Sequence, residues 1–223
     1  IKRGAVVTLD GALKEANNIK KILQEHHVSN KLYTGIAGSE ESFKSLSGSN
    51  LNLIHIATHG FYWEDKELKA NQSKSFVRIN ADEKDYSSTE VMTHSGLLFA
   101  GANRSFRNEI VPSNMEDGVL TAEEISLMNL NSVRLAVLSA CETGLGEIDG
   151  EGVLGLQRGL KSAGVQTILM SLWKVDDEAT NILMTQFYQN FLSGNTKDNM
   201  YQSLLKAQKY LRQYEHGKYS DPS

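Results

Sequence analysis

The chain has one cysteine, Cys141, in 223 residues. A single thiol excludes an internal disulfide framework and leads us to expect a reducing, cytoplasmic compartment. No apolar run approaches the ~18–20 residues needed to cross a bilayer, and no signal peptide is visible, so no membrane contact is expected. Cationic excess is missing as well. Lys and Arg number 23 against 27 Asp and Glu, a net charge of −4, which excludes the electrostatic footprint of a nucleic-acid-binding domain. There is no internal repeat and no low-complexity segment. What remains, 40% apolar and 22% charged residues, is ordinary for a soluble globular protein. The length suits one large domain or two small ones. The chain starts at Ile1 and stops at Asp221-Pro222-Ser223, and is expected to be a piece of a longer protein.

Several chemical signatures are also missing. No GxSxG supports a hydrolase serine, and Ser139 precedes the turn where such a serine would sit. His55 and His59 are four apart but on a strand-like run, with Ile56 where a helical zinc motif needs glutamate, so no metal is expected. The loop Gly144 to Gly150 lacks GxGxxG spacing, and Glu147, Asp149 and Glu151 would repel a pyrophosphate. No oxygen-ligand loop of calcium-binding spacing is present. No cofactor is expected.

What is present centres on Val133 to Leu172. An apolar run, Val133 to Leu138, ends in Ser139-Ala140-Cys141-Glu142-Thr143-Gly144. A glycine-rich acidic loop follows, then an amphipathic pattern over about 151–163, then Gly164 and a second apolar run to Leu172. Strand, loop, helix and strand in about forty residues form a βαβ unit, and short continuous apolar strands suit a parallel sheet covered on both faces. In such sheets the ligand crevice lies outside the carboxyl ends of the strands. Cys141 sits at that edge.

Elsewhere, Ala5 to Leu9 and Lys31 to Thr34 read as short strands. A helix with Leu13, Ala16, Ile19 and Leu23 on one face lies between them. Ser39-Glu40-Glu41 opens a brief helix. Leu51 to Ala57 is a clear apolar strand ending in Thr58-His59-Gly60. Residues 62–94 lose periodicity and read as a surface loop, a kind of segment that is usually functional or disordered. Ser95 to Ala100 is another strand, followed by a polar loop from Gly101 to Gly118. Thr121 and Glu124 have capping-box spacing. Asp176 or Asp177 caps a helix carrying Ala179, Leu183, Phe187 and Phe191, and a last helix carries Met200, Leu204, Ala207, Leu211 and Tyr214. The alternation argues an α/β fold with a mostly parallel sheet.

Two apolar strands thus end in reactive side chains, His59 and Cys141. If the strands are parallel neighbours, both residues emerge on one edge. An imidazole there can take the thiol proton and later protonate a leaving amine. Gly60 and the amide of Cys141 are natural donors to a developing oxyanion. His55 reads as a core histidine facing the sheet interior, and His26, His27 and His216 as solvent-facing. His94 is undetermined.

The motifs then resemble a family. Ala57-Thr58-His59-Gly60, Leu138 to Gly146, Gly150 to Arg158 and Ser171 to Thr180 occur in this order, with Ser95 to Asn103 and Asp117 to Ile125 between. Together they resemble the CHAT domain, a caspase/separase-like domain commonly attached to tetratricopeptide repeats, over nearly the whole chain. The resemblance implies a single caspase-like α/β domain over 1–223, a mostly parallel sheet with helices on both faces, and the 62–94 loop as an insertion. It implies a cysteine endopeptidase acting on a protein substrate through an acyl-enzyme, with His59 as base and acid, Cys141 as nucleophile, and the amides of Gly60 and Cys141 as oxyanion donors. An upstream tetratricopeptide-repeat region or another protein would regulate it. Domains of the family usually continue into one more apolar strand, which this chain does not reach.

Trp173, Asp176 and Asp177 follow the strand next to the nucleophile strand, where caspase-type peptidases place substrate-binding loops, and Glu142 adjoins the cysteine. An acidic group there favours a basic P1 residue. The other reading of Asp176 and Asp177 is a helix cap worth about 0.5–2 kcal/mol. Trp173 is pocket wall or core. The alternative to the enzyme is a non-catalytic signalling or scaffolding module with the same fold.

Overall fold

A computed structural model describes residues 9–63, 88–107, 109–112, 115–139, 150–171, 176–194 and 200–219. The chain divides into two compact units, Ile1–Val7 with Gly35–Trp173, and Thr8–Thr34 with Lys174–Ser223. The strand expected over 5–9 lies outside the described residues except for Leu9. Lys31 to Thr34, also expected as a strand, forms neither strand nor helix.

Among the described residues the first unit holds two sheets. β1 (Leu53–Ile56), β5 (Leu135–Leu138) and β6 (Thr167–Met170) form a parallel sheet in the order β1-β5-β6. β5, the middle strand, is buried at all four positions, as a parallel strand covered on both faces must be. β2 (His59–Tyr62), β3 (Ser95–Leu98) and β4 (Val119–Thr121) form an antiparallel sheet in the order β2-β3-β4. The mixed α/β class and the parallel sheet match the expectation, and the antiparallel sheet is an addition to it. β4 is only three residues long and runs straight into a helix, so its sequence reads as the approach to the cap.

Of the loop expected over 62–94, residues 64–87 lie outside the described residues, and both described ends are regular. Tyr62 closes β2, and α3 (Ser88–His94) precedes β3. The aromatic run Phe61-Tyr62-Trp63 suits a strand, and the Trp63 N–H extends the ladder by donating to the His94 carbonyl at 2.8 Å. The loop expected over 101–118 contains a short helix, α4 (Ala102–Phe106).

The remaining helices of this unit start and stop where side chains dictate. Ser39 caps α2 (Glu40–Lys44), its Oγ accepting from the Ser42 N–H. Thr121 and Glu124 form the capping box of α5 (Ala122–Ser126): the Glu124 N–H donates to Thr121 Oγ1 at 3.2 Å, and the Thr121 N–H donates to Glu124 Oε2 at 2.9 Å. α6 (Gly150–Ser162) ends in a Schellman turn. The Val165 N–H donates to the Leu160 carbonyl and the Gly164 N–H to that of Lys161, with Gly164 at φ +100°. One core joins both sheets and these helices through Ile54, Ile56, Leu97, Leu120, Leu138 and Leu160. Phe61, Leu98, Ala102 and Val119 form a second cluster on the other face of the antiparallel sheet.

One ionic knot ties α2 to the segment before β4. Lys44 Nζ lies 2.7 Å from Glu40 Oε1 and 3.1 Å from both Glu116 Oε1 and Glu124 Oε1. Three carboxylates thus use its three protons. Glu40 is only 1% exposed, and its second oxygen accepts the Gly118 N–H. Burial pushes the Glu40 carboxyl above the ordinary range in spite of Lys44. For Glu124, burial pulls the same way, but the Thr121 donors and Lys44 outweigh it and hold the group below that range.

The second unit packs α1 (Asp10–Glu25), α7 (Asp177–Ser193) and α8 (Met200–Gln213). Asn18 Nδ2 donates to Asn181 Oδ1 at 2.9 Å, joining α1 to α7. The inward stripe of α1 is Glu15, Ile19 and Ile22, whereas Leu13, expected inside, is 47% exposed. Two apolar templates one position apart fit this sequence, and packing chooses between them. On α7 the buried residues are Asn181, Met184, Phe187 and Tyr188, of which only Phe187 was in the expected stripe.

Two outcomes follow from this packing. A Cβ at Gly159 would strike the backbone of Ala122, with the carbonyl carbon at 3.1 Å and the carbonyl oxygen closer. Gly159→Ala should lower stability by about 1–3 kcal/mol in urea denaturation, and a change below ~0.5 kcal/mol would show that α6 and α5 are not in close contact. Lys44→Met strands the Glu40 carboxylate and should cost about 2–4 kcal/mol at neutral pH, below the full buried-pair figure because the other carboxylates are part-exposed. As pH falls through the raised Glu40 value the carboxyl takes up a proton and the deficit should shrink. A deficit independent of pH would contradict the role given to Glu40.

Candidate active site

The site begins with strand register. β1 pairs with β5 in parallel, Leu53 with Leu135 through Ile56 with Leu138. The Ser139 N–H donates to the Ile56 carbonyl at 2.8 Å, carrying the pairing one step beyond the strands. The two strands therefore end level at one edge. His59 follows Ile56 by three positions, and Cys141 follows Leu138 by three. Cys141 itself lies outside the described residues, as do Glu142 and Trp173.

His59 was expected at the end of the apolar strand Leu51 to Ala57. It opens β2, opposite Leu98 in β3, and is half-buried. The chain leaves the parallel sheet at Ala57 and Thr58 and enters the antiparallel one. Thr58 fixes the crossing, its Oγ1 donating to the Leu98 carbonyl at 2.5 Å. The signal that reveals this strand is the aromatic run after Gly60, read together with the short apolar partner at 95–98.

The ladder also orients Gly60. Since the Trp63 N–H bonds the His94 carbonyl, the pairs that exchange hydrogen bonds are Trp63 with His94, Phe61 with Gly96 and His59 with Leu98. Gly60, opposite Leu97, lies between them. Its N–H is directed away from β3, toward the outer edge of β2, where no further strand pairs among the described residues. His59, Phe61 and Trp63 share one face of the strand by alternation.

Other expected residues fall as follows. Asp176 caps α7, its Oδ1 accepting the Ala179 N–H at 2.9 Å, and Asp177 is the exposed first residue of that helix. Both belong to the second unit. The cap reading of Asp176 is therefore realised. His55 is half-buried and, by alternation, points away from the face of β1 that sends Ile54 and Ile56 into the core. Its Nε2 is nevertheless shielded from solvent. His26, His27 and His216 are exposed. His94 is 8% exposed at the end of α3. Among the described residues no group of three or more His, Cys, Asp or Glu side chains could hold a metal ion, and no helix is long and apolar enough to cross a membrane.

Strands that end level at one edge, with a histidine entering a small antiparallel sheet beside them, define an α/β domain of the caspase-like kind. The chain belongs to the CHAT domain family, which it matches over residues 2–223. It is similar to tetratricopeptide repeat protein 28 of Mus musculus, 34% identical over 76 residues, and to that of Homo sapiens, 31% identical over 80. These stretches cover 34% and 36% of this chain and 3% of each relative. The chain thus spans a small fraction of the length of the curated relatives it matches. No solved structure matches it.

The crossing can be tested directly. Thr58→Val keeps the side-chain shape and removes the hydroxyl, which should cost about 1 kcal/mol and speed amide hydrogen exchange over residues 59–61. Unchanged exchange would mean that the hydroxyl does not anchor the start of β2.

Proposed function

We propose that this domain is a cysteine endopeptidase that cleaves a protein partner through a Cys141–His59 dyad. The observation that carries the reading is the in-register parallel pairing of β1 and β5, which gives both residues the same offset from the ends of adjacent strands. Family membership supports it, since the CHAT resemblance implies that chemistry.

In this mechanism His59 accepts the Cys141 proton and the thiolate attacks the scissile carbonyl carbon. A C–S bond forms and the carbonyl electron pair moves to oxygen, where the N–H groups of Gly60 and Cys141 receive it. The outward direction of the Gly60 N–H suits that task. The pair returns, the C–N bond breaks, and the imidazolium gives its proton to the leaving amine. Water, deprotonated by the same imidazole, then attacks the thioester, and the C–S bond breaks to release acid and thiol.

Glu142, Trp173, Asp176 and Asp177 remain the proposed substrate-binding residues, with a basic P1 preference. Asp176 already serves as a cap, so Asp177 carries more of that assignment. A tetratricopeptide-repeat region or a separate activating protein would control the enzyme, in keeping with the names of the relatives.

Two substitutions test the proposal. An electrophilic peptide should label the native chain at Cys141, and Cys141→Ala should abolish both labelling and cleavage while the melting curve is kept. His59→Ala should slow labelling by about 10²–10⁴-fold. Equal labelling of the native and His59→Ala chains would overturn the dyad and leave the scaffolding module as the reading.

A further inference from the structure

A second feature lies on the face of the antiparallel sheet that His59 shares. A cleft of about 490 Å³ opens there, within the first unit. Its apolar wall is Trp63, Val111, Pro112 and Met115, and its polar side is Glu116, Asp117 and Glu124, with Glu40 beneath. Apolar side chains continue onto its lip, where Met115 is 47% exposed and Ile110, next to Val111, is 94% exposed. Trp63 is half-buried and stacks on Phe61 with ring centroids 4.3 Å apart, which holds the indole in place.

The charge of this cleft is unbalanced. Four carboxylates meet one ammonium, Lys44, whose three protons are spent on Glu40, Glu116 and Glu124. Glu40 uses its other oxygen for Gly118, Glu124 for Thr121, and Asp117 Oδ1 accepts the Val119 N–H. That leaves Glu116 Oε2 and Asp117 Oδ2 as acceptors that no donor among the described residues takes up. Open carboxylate oxygens beside an indole face and an aliphatic wall complement a long cationic side chain. The stem of a lysine or arginine covers the apolar wall while its head meets carboxylate and ring.

We propose that this cleft is a secondary subsite that binds an arginine or lysine side chain in an extended segment of the polypeptide substrate. This rests on the endopeptidase reading for the word substrate, though the binding chemistry stands on the cleft alone. Trp63, one residue past β2 on the extended ladder, is four residues from His59 and on the same face, about 13 Å at strand rise. An extended peptide spans that distance in about four residues. The subsite therefore selects a basic residue about four positions from the scissile bond, separate from P1.

The test uses the folded chain carrying Cys141→Ala, so that no cleavage interferes, and a fluorescein-labelled heptapeptide with one arginine between leucines. Its twin carries citrulline, which keeps the shape and loses the charge. In fluorescence polarisation the arginine peptide should bind about tenfold more tightly than the twin, the worth of one charge-assisted contact. Glu116→Gln should bring the two peptides to equal affinity, and Met115→Ser should weaken both, with melting curves kept in each case. Equal binding of the twins, no binding of the arginine peptide, or an unchanged ratio in Glu116→Gln would overturn the subsite. Labelling of Cys141 in the native chain separates the two claims. Labelling without arginine preference removes the subsite and keeps the peptidase, while arginine preference without labelling keeps the cleft as a basic-peptide site and removes the peptidase.

Discussion

The parallel pairing of β1 with β5 is the constraint on which the other features depend. Four consecutive pairs, Leu53 with Leu135 to Ile56 with Leu138, fix the register, and a slip of one residue would turn every side chain of β1 to the opposite face. Ile54 and Ile56 would leave the core, so burial enforces the register. A stability requirement thereby sets where the two chain segments leave the sheet. The proposed chemistry uses a geometry that the core already demands.

The antiparallel sheet turns that edge into a surface with two faces of different character. Leu97 and Leu120 point into the main core, and Phe61, Leu98 and Val119 build a smaller cluster on the far side. His59 enters on this second face. The segment before β4 closes against the same region and is tied to α2 by Lys44 and by the Gly118 N–H on Glu40. The buried Glu40 carboxylate carries a desolvation cost that Lys44 offsets, so the tie serves to position the segment more than to add stability.

The sequence made some of this legible and hid the rest for identifiable reasons. The capping box at Thr121, the glycine stop at Gly164, the Asp176 cap and the βαβ unit were all readable, because each is written in residues close together along the chain. The antiparallel sheet was not. Its strands are three or four residues long, too short for periodicity to register, and its pairing joins segments some twenty to forty positions apart. The inward face of α1 was missed because Glu15 is buried where a charge signals solvent. The Lys44 knot was illegible for the same reason of distance, since its carboxylates come from α2, the segment before β4, and α5. His59 and Gly60, read as the end of one strand, instead open a second, because the crossing at Thr58 leaves no mark in the apolar pattern.

The central claim is that an imidazole and a thiol meet beyond the level ends of β1 and β5. The pH dependence of Cys141 alkylation by iodoacetamide tests it most directly, since this chain has no other cysteine to react. Alkylation follows the thiolate fraction, which a neighbouring imidazolium raises. The account predicts that the native rate profile rises at distinctly lower pH than that of His59→Ala. Superimposable profiles for the two chains would contradict it.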